Sequence, residues 1–223
     1  MQQIRLDMDR AADAAGRPHA QLLAVSKTQP AEAVAALAAQ GQHAFGENYV
    51  QEAAAKIAAL AEAGLEWHLI GHLQSNKAEL AATLFDWVQT VDRPKLVAAL
   101  AKGRASARAP LNVLIQVNID DEASKHGCQP DAVDALAAAI VAQPALALRG
   151  LMAIPAPWPE AARRIDAFAR MHALFARLRA AHPQVDTLSM GMSGDFADAI
   201  AAGATMVRVG TALFGARGPR VAG

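Results

Sequence analysis

The chain has 223 residues, of which 53% are hydrophobic and 19% charged, and its 21 basic residues balance 21 acidic ones. A chain this long and this apolar can bury roughly 70–75% of its unfolded surface, which excludes a disordered, collagenous or coiled-coil protein. Balanced charge without a dense Lys/Arg stripe argues against nucleic acid as a partner, and a single cysteine, Cys128, leaves no intramolecular disulfide or cysteine-based metal cluster.

The first segment, MQQIRLDMDRAADAAGR, mixes charge with apolar residues, lacks the apolar core of a signal peptide and predicts a helix at about 3–15. Apolar runs such as 133–141 are too short to span a bilayer, so no membrane association and a cytoplasmic location are expected. About a quarter of the residues are Ala, concentrated in 31–39, 53–63, 97–107, 135–142 and 197–204, and these stretches predict helices. Between them lie eight short apolar runs: Leu22 to Val25, His43 to Phe45, Trp67 to Ile70, Trp87 to Val91, Val113 to Val117, Leu148 to Ile154, Thr187 to Met190 and Met206 to Val209. Continuous hydrophobicity over so few residues marks strands buried on both faces, as in a parallel sheet.

The helix at 160–181 places Ile165, Phe168, Met171, Phe175 and Leu178 on one stripe. Pro30, Pro94 and Pro130 stand near helix starts, Asp92 can cap the helix near Pro94, and Gly41 stands at a helix end. Eight strands alternating with helices predict a single α/β domain over 1–223, a (β/α)₈ TIM-type barrel with an extra N-terminal helix; a doubly wound open sheet is the alternative.

In such a barrel the chemistry collects where strands end. After the first strand come Ser26-Lys27-Thr28, after the second Gly46-Glu47-Asn48-Tyr49, after the third Gly71-His72-Leu73-Gln74-Ser75-Asn76-Lys77, and after the seventh Gly191-Met192-Ser193-Gly194-Asp195. The fifth ends at Asn118 and the eighth leads into Gly210-Thr211. Lys27 ends an apolar strand, where desolvation favours the neutral amine that attacks a carbonyl; for an arbitrary lysine, snorkelling out of a strand end is the commoner case. Ser193, Gly210 and Thr211 fall in the two loops that hold phosphate in phosphate-binding barrels, although Ser193 or Asp195 could cap a helix and Gly210 could serve a turn. Arg208 lies within the last strand, where a lumenal guanidinium needs an acceptor: a carboxylate, or a ring nitrogen of a bound heteroaromatic ligand. A lysine, a phosphate cup and an arginine placed for a ring nitrogen together meet the requirements of pyridoxal 5′-phosphate.

These segments, LLAVSKTQP at 22–30, FGENYVQE at 45–52, WHLIGHLQSNK at 67–77, LNVLIQVNIDDEASKHG at 111–127, RGLMAIP at 149–155 and LSMGMSGDFADAIAAGATMVRVGTALFG at 188–215, resemble the pyridoxal-phosphate homeostasis protein family, which is similar to the barrel domain of alanine racemase. The resemblance implies that Lys27 carries the cofactor as an internal aldimine. It further implies that Ser193, Gly210 and Thr211 hold the phosphate, that Arg208 faces the pyridine nitrogen, and that Asn48 and Met190 lie near the ring. The tail GARGPRVAG departs from relatives in lacking an aromatic residue and lysines after GAR.

The function expected on this resemblance is storage, buffering or delivery of the cofactor, with apo pyridoxal-phosphate enzymes as partners, a monomeric state and no catalytic residues. The alternative is a weak amino-acid racemase in which Lys27 works with Tyr49, the only tyrosine, or with Glu47. A Schiff-base aldolase would leave Arg208 unexplained. The pair His68 and His72 spans a strand and its loop rather than a helical turn, and no metal site is expected. Cys128 reads as an inert thiol, Trp67, Trp87 and Trp158 as packing residues, and Lys125 as a surface-loop lysine, the best second lysine for transient capture of the cofactor.

Overall fold

Each of the short apolar runs has two faces to bury, and side-by-side pairing into a closed sheet buries both. The structure, a computed structural model, describes residues 1–104, 108–122 and 125–215. Ser124, the end of the 97–107 stretch and the tail from 216 on lie outside the described residues. In chain order the elements are α1 (Gln2–Ala15), β1 (Gln21–Val25), α2 (Ala31–Ala38), β2 (Ala44–Glu47), α3 (Val50–Ala59), β3 (Glu66–Leu69), α4 (Ala78–Leu84), β4 (Trp87–Val91), α5 (Pro94–Arg104), β5 (Leu111–Gln116), α6 (Val133–Val141), β6 (Leu146–Met152), α7 (Ala161–Ala181), β7 (Thr187–Met192), α8 (Phe196–Ala201), β8 (Met206–Val209) and α9 (Thr211–Phe214). The eight parallel strands follow chain order around a closed barrel, and β1 pairs with β8 from Gln21↔Met206 to Ala24↔Val209. Closure excludes the open-sheet alternative and bears out the TIM-type barrel.

Alternation along each strand sorts the side chains into two cores. Outward residues such as Leu22, Phe45, Leu69, Val88 and Val207 pack beneath the helices, while Leu23, Ala44, Ile70 and Met206, with Trp87, Leu114 and Met152, fill the barrel interior. The N-terminal helix buries Ile4, Met8 and Ala12, four residues apart, and packs against α8. On α7 the buried stripe contains Phe168, Met171, Phe175 and Leu178 but not Ile165, which is half exposed one turn from the helix start.

Two departures from the predicted strands shape the site. β2 runs on to Glu47, so Gly46 and Glu47 are strand residues; a Cβ on Gly46 would stand 3.0 Å from Ile70 Cδ1 and 3.3 Å from Leu23 Cδ2, so only hydrogen fits easily against the packed interior there. β7 carries an irregularity between Ser189 and Met192, with Ser189 opposite Met206 and Met192 opposite Arg208, so three steps on β7 face two on β8. Such a bulge re-aims the residue that follows it. Gly191 within it has φ +90°, and a Cβ would fall 2.5 Å from that of Ala199, so glycine lets α8 pack against the bulge.

Candidate functional site

At the C-terminal end of the barrel a cavity of about 460 Å³ opens between the loops after β1, β2, β6, β7 and β8. Six of the seven residues expected to hold a cofactor line it: Lys27, Asn48, Ser193, Arg208, Gly210 and Thr211. Met190 is fully buried in the outer core. The methionine at the cavity is Met192, which the bulge turns towards the opening. Ile70 and Ile154 supply apolar walls and Tyr49 stands at the mouth, 61% exposed.

Lys27 is half-buried in a tight turn after β1. Its neighbour Thr28 has φ +64°, a conformation that a β-branched residue adopts only under constraint. The constraint comes from three side chains: Ser26 Oγ donates to Glu47 Oε1, Lys56 Nζ donates to the Ser26 carbonyl at 2.7 Å, and Glu52 Oε1 accepts the Thr28 N–H at 2.6 Å. Lys56 also donates to Glu47 and Glu52, both at 2.8 Å, so one buried ammonium joins the carboxylates that grip either side of Lys27. Glu47 is fully buried; burial raises its carboxyl pKa above the usual range, against the opposing pull of Lys56 and Ser26. Glu47 is thus engaged beneath the turn and does not line the cavity. The Glu52/Lys56 spacing of one helical turn is visible in the sequence, but nothing local shows that this face of α3 is turned inward.

Across the cavity, Arg208 is buried, and desolvation lowers its guanidinium pKa to about 10, still charged at neutral pH. Its Nη1 donates to Ser189 Oγ at 2.7 Å and its Nη2 to the Ala153 carbonyl at 2.8 Å; among the described residues no carboxylate forms an ion pair with it. Asp195 lies near enough to favour its charge without pairing.

The loop after β7 is closed by Asp195, whose Oδ1 accepts the Met192 N–H at 2.6 Å; Asp195 makes no side-chain cap on α8, and Ser193 is left exposed at the cavity. α8 and α9 have six and four residues, so helix dipoles add little here, and an anion would be met by the Ser193 and Thr211 hydroxyls and local amides. Close approach of the second loop is secured by Gly71, where a Cβ would fall 2.1 Å from the Asn48 carbonyl oxygen.

Several other candidates are drawn elsewhere. Asn118 bonds the Glu122 backbone, and Lys125 Nζ donates to the carbonyls of Ile154 and Pro155 at 3.2 and 2.8 Å, tying the loop after β5 to the one after β6. His68 lies in the barrel interior, while His72 stacks on His126 at 3.7 Å outside it. Among the described residues no group of three His, Cys, Asp or Glu could hold a metal ion, and no helix is long and apolar enough to cross a membrane. Cys128 is buried, with desolvation pushing its thiol up to about 11. Trp67 packs in the outer core, Trp87 stacks on His68 inside the barrel, and Trp158 lies under Arg163.

Comparison with known proteins places this geometry. The family described as alanine racemase, N-terminal domain, matches residues 1–218. The pyridoxal phosphate homeostasis protein of Pasteurella multocida is 53% identical over 221 residues, covering 96% of this chain and 95% of its own, and that of Escherichia coli K12 is 52% identical over 220 residues, covering 96% and 94%. The chain belongs to the pyridoxal phosphate homeostasis protein family. PipY of Synechococcus elongatus, solved with PLP bound, superposes on this member with a TM-score of 0.81 at 38% identity, covering 94% of this chain and all of that one. Alanine racemase from Corynebacterium glutamicum shares the fold alone, with a TM-score of 0.64 at 22% identity over 99% of this chain and 62% of its own.

Proposed function

We propose that the protein binds pyridoxal 5′-phosphate in this cavity, with Lys27 as the covalent anchor, and stores, buffers or delivers it in the cytoplasm as a monomer. The observation that carries the reading is Arg208: a buried, charged guanidinium without a paired carboxylate among the described residues, in the wall of the same cavity that Lys27 reaches. Burial of such a group is costly unless acceptors meet its donors; Ser189 and Ala153 take two of them, and an aromatic nitrogen in the cavity would take another. When bound, the cofactor supplies an aldehyde that a primary amine captures reversibly.

The chain's own residues account for the rest of the binding. The Lys56 clamp fixes the turn that presents the Lys27 amine, and Ser193 and Thr211 offer hydroxyls to the phosphate at the cavity's open side. Ile70 and Ile154 exclude water from the ring. An arginine at the ring nitrogen disfavours a protonated pyridinium and so weakens the electron sink that carbanion chemistry uses.

Mixing the purified protein with pyridoxal 5′-phosphate should give a yellow complex in which borohydride fixes a pyridoxyl group on Lys27, and Lys27→Ala should abolish both. A wild type that stays colourless would overturn the reading. Delivery is tested by whether loaded protein restores an apo pyridoxal-phosphate enzyme faster than it loses free cofactor to a dialysis sink.

Tyr49 at the cavity mouth supports one second reading, a racemase using Lys27 and Tyr49 as opposed bases. Turnover of alanine abolished in both Lys27→Ala and Tyr49→Phe would establish it.

A further inference from the structure

A file of polar side chains runs through the barrel interior, starting at Arg208 beside the cavity. Arg208 Nη1 meets Ser189 Oγ at 2.7 Å, Ser189 Oγ meets Gln89 Oε1 at 2.7 Å, Gln89 Nε2 meets His68 Nδ1 at 2.9 Å, and His68 Nε2 meets Glu66 Oε1 at 2.9 Å. Ser189, Gln89 and His68 are completely buried, Trp87 stacks on the imidazole, and Glu66 opens β3 at the opposite end of the barrel with a partly exposed carboxylate.

The charged ends dictate the direction of every bond between them. A guanidinium has donors alone, so Ser189 accepts from it and turns its single proton to Gln89. The Gln89 oxygen is then occupied as an acceptor, and its NH₂ faces His68 Nδ1, which must carry no proton. The ring proton sits on Nε2 and goes to the Glu66 carboxylate, an acceptor. Reversing Gln89 would put a bare Nε2 against the carboxylate, acceptor against acceptor. Burial keeps His68 neutral and its hydrogen bond lowers the Glu66 pKa, in accord with this order.

We propose that Ser189, Gln89, His68 and Glu66 are positioning residues for Arg208: an oriented hydrogen-bond chain, closed by a carboxylate at the far end of the barrel, fixes the guanidinium so that its remaining N–H groups face the cavity. Its last contact, with a ring nitrogen, rests on the cofactor reading above; the chain itself does not. Arg208 uses two of its five donors on Ser189 and Ala153, and a guanidinium free to rotate would spread the others over several directions. Hydrogen bonds in series also polarise one another, so the partial charge at Arg208 depends on a carboxylate that never touches the ligand.

Nitrogen-15 NMR of the apo protein tests the chain without the cofactor. His68 should show the Nε2-protonated neutral tautomer, and the two Arg208 Nη groups should give separate signals because rotation is hindered. Gln89→Leu should merge those Nη signals, and Glu66→Gln, a change at the partly exposed end that spares the fold, should move the His68 nitrogens towards a mixture of tautomers. With pyridoxal 5′-phosphate, Gln89→Leu should weaken binding roughly tenfold and shift the absorption band, with no further loss in an Arg208→Met background; Ser189→Ala should act likewise and Ser189→Thr should restore the band. An Nδ1-protonated His68, unmerged Arg208 signals in Gln89→Leu, or additive losses in the double variant would overturn the proposal. A wild type that shows the NMR pattern yet binds no cofactor would overturn the cofactor reading instead.

Discussion

Replacing Lys56 by Met removes the cation under the Lys27 turn while keeping most of the side-chain volume. Glu47, with no exposed surface, would lose its ion partner, and the Ser26 carbonyl its donor. Removing one member of a buried ion pair costs about 3–5 kcal/mol. Part of that cost is relieved when Glu47 takes up a proton, each unit of pKa shift being worth about 1.4 kcal/mol, and Glu52, 30% exposed, regains water. The expected loss is therefore about 3 kcal/mol at pH 8, or roughly 6–12 °C in Tm for a protein of this size.

The loss depends on pH with a definite sign. Glu47 in the folded protein already titrates above its ordinary value of 4.5, and loss of Lys56 raises it further. A folded pKa above the unfolded one gives stability that is complete below about 4.5 and lost as pH rises through the folded value. The Lys56→Met defect should accordingly be smaller at pH 5.5 than at pH 8. In the double variant Lys56→Met/Glu47→Gln, with no charge left to bury, most of the stability should return. Urea unfolding followed by circular dichroism at both pH values gives all four numbers. A defect below about 0.5 kcal/mol, a defect equal at the two pH values, or a double variant no better than the single would refute the reasoning.

Ser193→Ala should weaken pyridoxal 5′-phosphate binding by about 1–3 kcal/mol, the range for a charge-assisted hydrogen bond, and should leave the affinity for unphosphorylated pyridoxal unchanged, as read by absorbance titration. Gly71→Ala forces a methyl into the Asn48 carbonyl and should cost about 1–3 kcal/mol of stability through overpacking, with a matching loss of cofactor affinity; a neutral result in both assays would mean that the second loop yields. Cys128, pushed up to about 11, should resist a thiol reagent at pH 7.5 in the native protein and react at once in urea; rapid native labelling would contradict its burial.

Periodicity and composition determined the barrel. β4 and β8 occupy the residues that the sequence marks, and Lys27, Ser193 and Arg208 could be placed at one end of the molecule from their position after or within apolar runs, because strand ends in such a fold share a face. Tertiary structure alone decided the partners of those residues. Glu47 follows its strand in a way that reads as a loop carboxylate, yet it is buried because β2 is longer than its apolar run and α3 turns Lys56 towards it. Met192 replaces Met190 at the cavity because a bulge, which leaves no mark on hydrophobic alternation, inserts a residue into β7. The lumenal chain joins Ser189 to Gln89 across 100 residues and Arg208 to Ala153 across 55. A local pattern reports the face a residue presents; which other residues share that face at hydrogen-bond distance is set by how the sheet curls and closes.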